Sequence, residues 1–190
     1  MIACLESHLD YMQSLVDKYG ITKVGNVVPG GETGQESIYK GLKAAQELYP
    51  ETSIVLVHDG VRPLIDEETI TKNIESVKQN GSAVTVTPAV ETVTIDNNDN
   101  RLGQVVKRSR CQIAKAPQSF YLKDLIASHE KAIAEHNMNY VDSASLMQHY
   151  GYVLYTVEGK PENIKITTPM DFYIFRAIED ARENSQIFGL

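Results

Sequence analysis

Four segments carry residue types that could handle a charged substrate. In Ile54 to Pro63, IVLVHDGVRP, an apolar run ends at a carboxylate, Asp59, followed by Gly60 and Arg62. Ligands of open α/β sheets bind beyond the carboxyl ends of the strands. A carboxylate there can face a divalent cation or a sugar hydroxyl, and Gly60 lets the backbone turn sharply or approach a ligand. Arg62 can pair with Asp59 or with a phosphate; the plainer alternative is that the two only fix the loop. In Gly30 to Leu42, GGETGQESIYKGL, two glycines between a strand and a helix permit close approach to a flat or anionic ligand. Ser37 could donate to a base or a phosphate, or simply sit in the first turn of a helix. In Pro161 to Asp171, PENIKITTPMD, Lys165 lies between Ile164 and Ile166. Period-2 alternation sets it on the face opposite the isoleucines, where a point charge suits a phosphate. Solvent exposure is the commoner fate of a lysine. In Val105 to Phe120, the cations Lys107, Arg108, Arg110 and Lys115 gather on an acidic chain. They suit an anionic substrate, or form a solvated basic face.

These segments must be held by the rest of the chain. Its 190 residues suit one domain with a real core. The composition, 42% hydrophobic and 23% charged, is that of a globular protein. A formal net charge of -7 argues against a nucleic-acid surface. No apolar run reaches the ~18 residues of a membrane span, and Glu6, His8 and Asp10 interrupt any signal sequence. Cys4 and Cys111 lack metal-ligand spacing and cannot form a disulfide framework, so both read as small core or strand residues. A reducing cytoplasm is the simplest location.

Strand and helix patterns alternate, which predicts an α/β sheet. Leu9, Met12, Leu15, Val16 and Tyr19 recur at helical spacing, with Ser7 as a cap and Gly20 as a stop. Ile21 to Val28 reads as a strand. A helix follows from Gln35 or Glu36, with Ile38, Leu42, Ala45 and Leu48 on one face. Ile54 to Val57 reads as a strand buried on both faces. Asp66 caps a helix whose stripe is Ile70, Ile74 and Val77, closed by Asn80-Gly81. Ala83 to Thr87 is a strand stopped by Pro88. Val93 to Ile95 and Leu102 to Val106 flank Asn97 to Asn100, which predicts a hairpin arm. Helices fit Leu122 to His136 and Asp142 to Tyr150, and strands fit Tyr152 to Val157 and Asn163 to Ile166. Thr168, Pro169 and Asp171 open the last helix. No linker or repeat interrupts residues 1–190, so one domain is expected, with the β-arm over about 90–115.

Taken together and in order, the segments resemble the bacterial IspD family, 2-C-methyl-D-erythritol 4-phosphate cytidylyltransferase, whose close relatives act on D-ribitol 5-phosphate. VHDGVRP at Val57 to Pro63 is the most specific match, followed by PENIKITTP at Pro161 to Pro169. The GG…S…GL spacing, Glu91-Thr92, Ala116 to Phe120 and Asp142-Ser143-Ala144 add support. The resemblance covers nearly the whole chain. It implies a Rossmann-like nucleotidyltransferase fold with a mixed, mostly parallel sheet. It also implies a projecting β-arm that reaches across a homodimer. The implied reaction joins CTP to a polyol phosphate and releases pyrophosphate, with Mg²⁺ as the divalent cation. Such a reaction asks for positioning and charge neutralisation, not a side-chain nucleophile. The resemblance sets Gly31, Glu32 and Ser37 near the cytosine and ribose. Asp59 and Gly60 lie beside the ribose and phosphates, with Asp59 near the metal, and Arg62 orders their loop. Thr92, Arg108 and Lys165 meet the acceptor, the first two in the neighbouring subunit's site. Asp59, Arg108 and Lys165 are the expected catalytic residues.

Departures from the family pattern sharpen the expectations. The family opens on a strand and a GGxGxRM loop that cradles the triphosphate, and nothing here matches them. The sheet should therefore lack its first strand and phosphate loop. Ala116 stands where many members have a threonine that contacts the substrate phosphate, and Gly34 where many have arginine. Two functional readings follow. One is a cytidylyltransferase chain acting on 2-C-methyl-D-erythritol 4-phosphate or D-ribitol 5-phosphate. The other is a catalytically incompetent homologue that dimerises with a complete cytidylyltransferase. A Rossmann oxidoreductase fits poorly, since no GxGxxG opens a helix after a strand.

Overall fold

The structure is a computed structural model that describes residues 1–98 and 100–188. Two parallel strands, β1 (Ile2–Cys4) and β2 (Val27–Pro29), enclose helix α1 (Leu9–Lys18) in sequence. Helix α2 (Gly34–Leu48) leads to β3 (Ile54–Val57), and α3 (Glu67–Asn80) to β4 (Ser82–Pro88). After the arm come β5 (Gln112–Tyr121), α4 (Leu122–Ala134), α5 (Ser143–His149), β6 (Thr156–Glu158) and α6 (Pro169–Phe188). The second sheet has the order β3-β5-β4-β6. β5 runs against β3 and β4, while β6 is parallel to β4, so the sheet is mixed with one reversed strand. No helix among the described residues is long and apolar enough to cross a membrane.

The sheet separates two cores. Phe120 of β5 meets Leu42 of α2, Leu125 of α4 and Leu146 of α5 on one face, and Val77, Ala83 and Val157 pack on the other. The α3 stripe is not the expected Ile70, Ile74 and Val77. Thr69, Asn73 and Val77 are buried instead, at i, i+4 and i+8, and Ile70 is exposed. Asn73 tolerates full burial because its amide is satisfied. Its Nδ2 donates to Thr69 O and Thr85 Oγ1, and its Oδ1 accepts from Ser119 Oγ. A hydrophobic-periodicity reading cannot see such a pairing.

Local signals at chain turns are met. Asp66 caps α3 through the Thr69 amide, and Gly81 closes it at a φ of 85°; α2 starts at Gly34, just ahead of the expected Gln35 or Glu36, because Thr33 caps it through the Glu36 amide. Asp171 accepts from the Thr167 and Thr168 amides at the start of α6. Ser7 does not cap: α1 starts at Leu9, and the Ser7 hydroxyl lies against the His8 ring. Ile21 to Val28 is strand only from Val27, and Asn163 to Ile166 is not a strand at all. That segment's backbone meets the loop after β3 through Ile166 N to Val61 O, and side-chain bonds to and from Asn163 and from Lys165 hold the rest. The arm is a hairpin reduced to one bridge, Thr94 with Val105, around Asn98 and Asn100 at left-handed φ. Asp99, in the same turn, lies outside the described residues. The arm ends before Gln112, where β5 begins, not near 115.

The two sheets are not joined. Between them lies a slot of about 650 Å³, with Met1 and Ala3 on one side and Ser53 to His58 on the other. Six consecutive residues touch it, so it follows the edge of β3 and not one face. All four residues of β3 are only half-buried, against the expectation of a strand buried on both faces. The reason is that, among the described residues, no strand pairs with its second edge.

Candidate active site

The carboxyl end of β3 delivers Asp59, three residues before Arg62, and their side chains meet. Arg62 Nε donates to Asp59 Oδ2 at 2.9 Å, and Lys165 Nζ reaches Asp59 Oδ1 at 3.2 Å from 106 residues away. Burial pushes the Asp59 carboxyl up, but hydrogen bonds from Arg62 and then Lys165 outweigh it and hold the carboxyl below its usual range. Asp59 is therefore a fixed anion between two cations. Arg62 Nη1 also donates to Asn163 O at 2.9 Å, which binds the loop after β3 to the segment carrying Lys165. His58 completes the turn, its Nε2 3.0 Å from Arg62 O.

These three side chains line a cavity of about 720 Å³. Its far wall is the start of α2 and the entry to α5. Gln118 of β5 joins the two sides. Its Nε2 donates to Asp142 Oδ2 at 2.7 Å, and its Oε1 accepts from Ala144 N. Asp142 Oδ1 accepts from Ser145 N and caps α5, while Oδ2 is held by Gln118. This explains the Ala-Pro-Gln-Ser-Phe and Asp-Ser-Ala runs as one clamp. Only the pairing across the fold reveals it.

The glycine pair faces its own chain. A Cβ on Gly30 would stand 2.9 Å from Ser37 Oγ, and one on Gly31 would overlap the Glu36 side chain. The Gly31 amide donates to Ser37 Oγ, and that hydroxyl donates to Thr33 O. The Glu32 amide donates to Glu36 Oε2. Gly31, Glu32 and Ser37 thus form the fastening of α2's first turn beside the cavity wall, whereas Thr33, Gly34 and Gln35 line the cavity itself. Gly60 is different. Its φ is not left-handed, and an added Cβ would meet nothing within 4 Å. Gly60→Ala is therefore expected to leave stability unchanged or raise it by up to about 1 kcal/mol, through the unfolded chain, in urea unfolding.

Thr92 and Arg108 are not brought to this cavity. Both lie on the arm, where Thr92 is exposed and Arg108 Nη1 donates to Val90 O at 3.3 Å. As for metals, no cluster of three or more His, Cys, Asp or Glu exists among the described residues. Asp59 is the cavity carboxylate not engaged in a helix cap. That fits a hard cation held mainly by substrate phosphates and water, with one carboxylate.

Comparison with known proteins identifies the family. The family model for IspD, 2-C-methyl-D-erythritol 4-phosphate cytidylyltransferase, matches residues 1–180. The chain is 53% identical over all its 190 residues to a "Ribitol-5-phosphate cytidylyltransferase" of Streptococcus agalactiae, covering 80% of that protein. It is 50% identical over 189 residues to a protein of the same name from Vibrio parahaemolyticus, covering 79% of it. The crystal structure of a 4-diphosphocytidyl-2C-methyl-D-erythritol synthase from Anaerococcus prevotii superposes with a TM-score of 0.80 at 30% identity, covering 93% of this chain and 78% of that one. The chain belongs to the IspD cytidylyltransferase family.

Proposed function

We propose that the chain transfers CMP from CTP to D-ribitol 5-phosphate, giving CDP-ribitol and pyrophosphate. The observation that carries this reading is the 53% identity, over the entire chain, to a relative named for that acceptor. The similarity to the solved methylerythritol-type enzyme is 30%. In the reaction a phosphate oxygen of the polyol phosphate bonds to the α-phosphorus of CTP. The bond from that phosphorus to the bridging oxygen breaks, and pyrophosphate leaves with the electron pair. The chain's part is to hold the two anions in line and to meet their charge. Lys165 turns from Asp59 to the acceptor phosphate, and Arg62 keeps the Asp59 loop in place. Gly31, Glu32 and Ser37 shape the side where the base and ribose lie. Mg²⁺ supplies charge neutralisation on the triphosphate, near Asp59. Thr92 and Arg108 do not line their own chain's cavity, which favours action at a second copy of the chain in a homodimer joined by the arms. The cytoplasm, where CTP is available, is the proposed location.

The test is pyrophosphate release with Mg²⁺, CTP and each acceptor in turn. Release with D-ribitol 5-phosphate and little with 2-C-methyl-D-erythritol 4-phosphate is the expected result; the opposite preference defeats the assignment. A second reading is favoured by the open slot beside β3. In it the chain is a non-catalytic partner of a longer homologue. Silence with both acceptors, joined to co-purification of an active longer homologue, would support that reading.

A further inference from the structure

Three cations line the cavity, and their partners are unequal. Arg62 and Lys165 share the Asp59 carboxylate. Among the described residues Lys115 makes no ion pair, and the Glu162 carboxylate acts on its charge only through space. Its Nζ donates to two neutral carbonyls, Pro161 O at 2.9 Å and Asn163 O at 3.3 Å. The second is the same oxygen that accepts from Arg62 Nη1 at 2.9 Å. Two positive side chains thus converge on one uncharged acceptor. Burial, and then the nearby Arg62 charge, push the Lys115 ammonium's pKa down, and the more distant Glu162 carboxylate only partly offsets them. An ammonium has three donors, and the two carbonyls take two.

The frame around Lys115 is rigid. Asn163 is buried, and its Nδ2 donates to Ala116 O at 2.8 Å, tying β5 to the segment that carries Lys165. Ala116, next along the strand, offers only a methyl group to the cavity it lines.

We infer that Lys115 is a phosphate-binding residue of this site, donating to the phosphate monoester of the acceptor alongside Lys165 and fixing that end of the substrate. The inference rests on the proposed reaction for the identity of the acceptor, and on the charge arrangement alone for the binding of phosphate. A dianionic phosphate supplies a directly bonded counter-charge, which none of the described residues gives Lys115, through a charge-assisted hydrogen bond. It does the work that a hydroxyl at position 116 would otherwise do.

The experiment has two arms. In the first, thermal unfolding of the full chain is followed with inorganic phosphate, against sodium chloride at equal ionic strength. Phosphate is expected to raise the melting temperature of the wild type. The shift should be largely lost in Lys115→Met, which keeps the apolar stem, and partly restored in Lys115→Arg. Lys160→Met, which breaks an ion pair with Asp66 on another face, should keep the whole shift. In the second arm, Lys115→Met should raise KM for D-ribitol 5-phosphate roughly 10–100-fold and move KM for CTP less than about twofold. A wild type without a phosphate shift, or a Lys115→Met variant that keeps it, overturns the inference. The first arm needs no turnover. A chain that binds phosphate through Lys115 but transfers no CMP to either acceptor would refute the proposed reaction and leave the anion site standing.

Discussion

Lys165→Ala is expected to lower kcat for cytidylyl transfer by roughly 10²–10³-fold, the usual cost of removing one donor to developing phosphoryl charge. Stability should move by less than about 1 kcal/mol, because the pair it makes with Asp59 is half-exposed and screened. The segment is anchored by buried Asn163, whose Nδ2 donates to Ala116 O, and not by the exposed lysine. Arg62→Ala makes the contrast. The Arg62 side chain is 11% exposed and bonds both Asp59 and Asn163 O, so its loss should reduce stability and turnover together. Steady-state pyrophosphate release, run beside urea unfolding of both variants, separates the two roles. Near wild-type turnover in Lys165→Ala would remove that residue from the mechanism.

What was legible in the sequence was local. The Asp66 cap, the Gly81 stop and the Thr168-Pro169-Asp171 start of α6 lie within a few residues of what they satisfy, and spacing alone reveals them. The Asp59–Arg62 pair is similar, three residues apart at the end of an apolar strand. What was hidden depends on partners far away in sequence. β5 is one of two interior strands, yet it carries Lys115 and Pro117, which argue against one. The structure tolerates Pro117 because the ladder with β4 breaks there: Val84 pairs with Gln118 and Val86 with Ala114, with a register shift between. Thr85 Oγ1 then donates to Pro117 O, which would otherwise lack a ladder partner on that side. The convergence of Arg62, Lys115 and Asn163 spans about half the chain and leaves no periodic trace. Nor did the apolar run of β3 reveal that one of its edges is open, because hydrophobicity reports what a strand could bury and not what lies beside it.

A second buried group went unseen for the same reason, and it bears on how the fold responds to mild acid. His129 on α4 is fully buried, with the Tyr39 ring 5.7 Å away, and neither ring nitrogen has a hydrogen-bond partner among the described residues. Burial pushes its pKa down from 6.5 to about 4. Between these values the unfolded chain takes up a proton that the folded chain refuses. Folding is therefore fully favoured above about pH 6.5 and loses stability as pH falls towards about 4, by roughly 3 kcal/mol in all. Carboxylates act in a lower window. Asp66, for example, is pushed up by burial but held at about 2 by Lys160 and Thr69, so its contribution fades only below the ordinary carboxylate range. The two windows can be told apart by urea unfolding at intervals from pH 7 to pH 4. The wild type should lose stability steadily across that span. His129→Leu should lose about 3 kcal/mol less over it, and at pH 7 should be at least as stable, since two unpartnered polar atoms are gone. Equal slopes in the two proteins would mean that His129 is protonated in the folded chain as readily as in the unfolded one, and that its ring is reached by water.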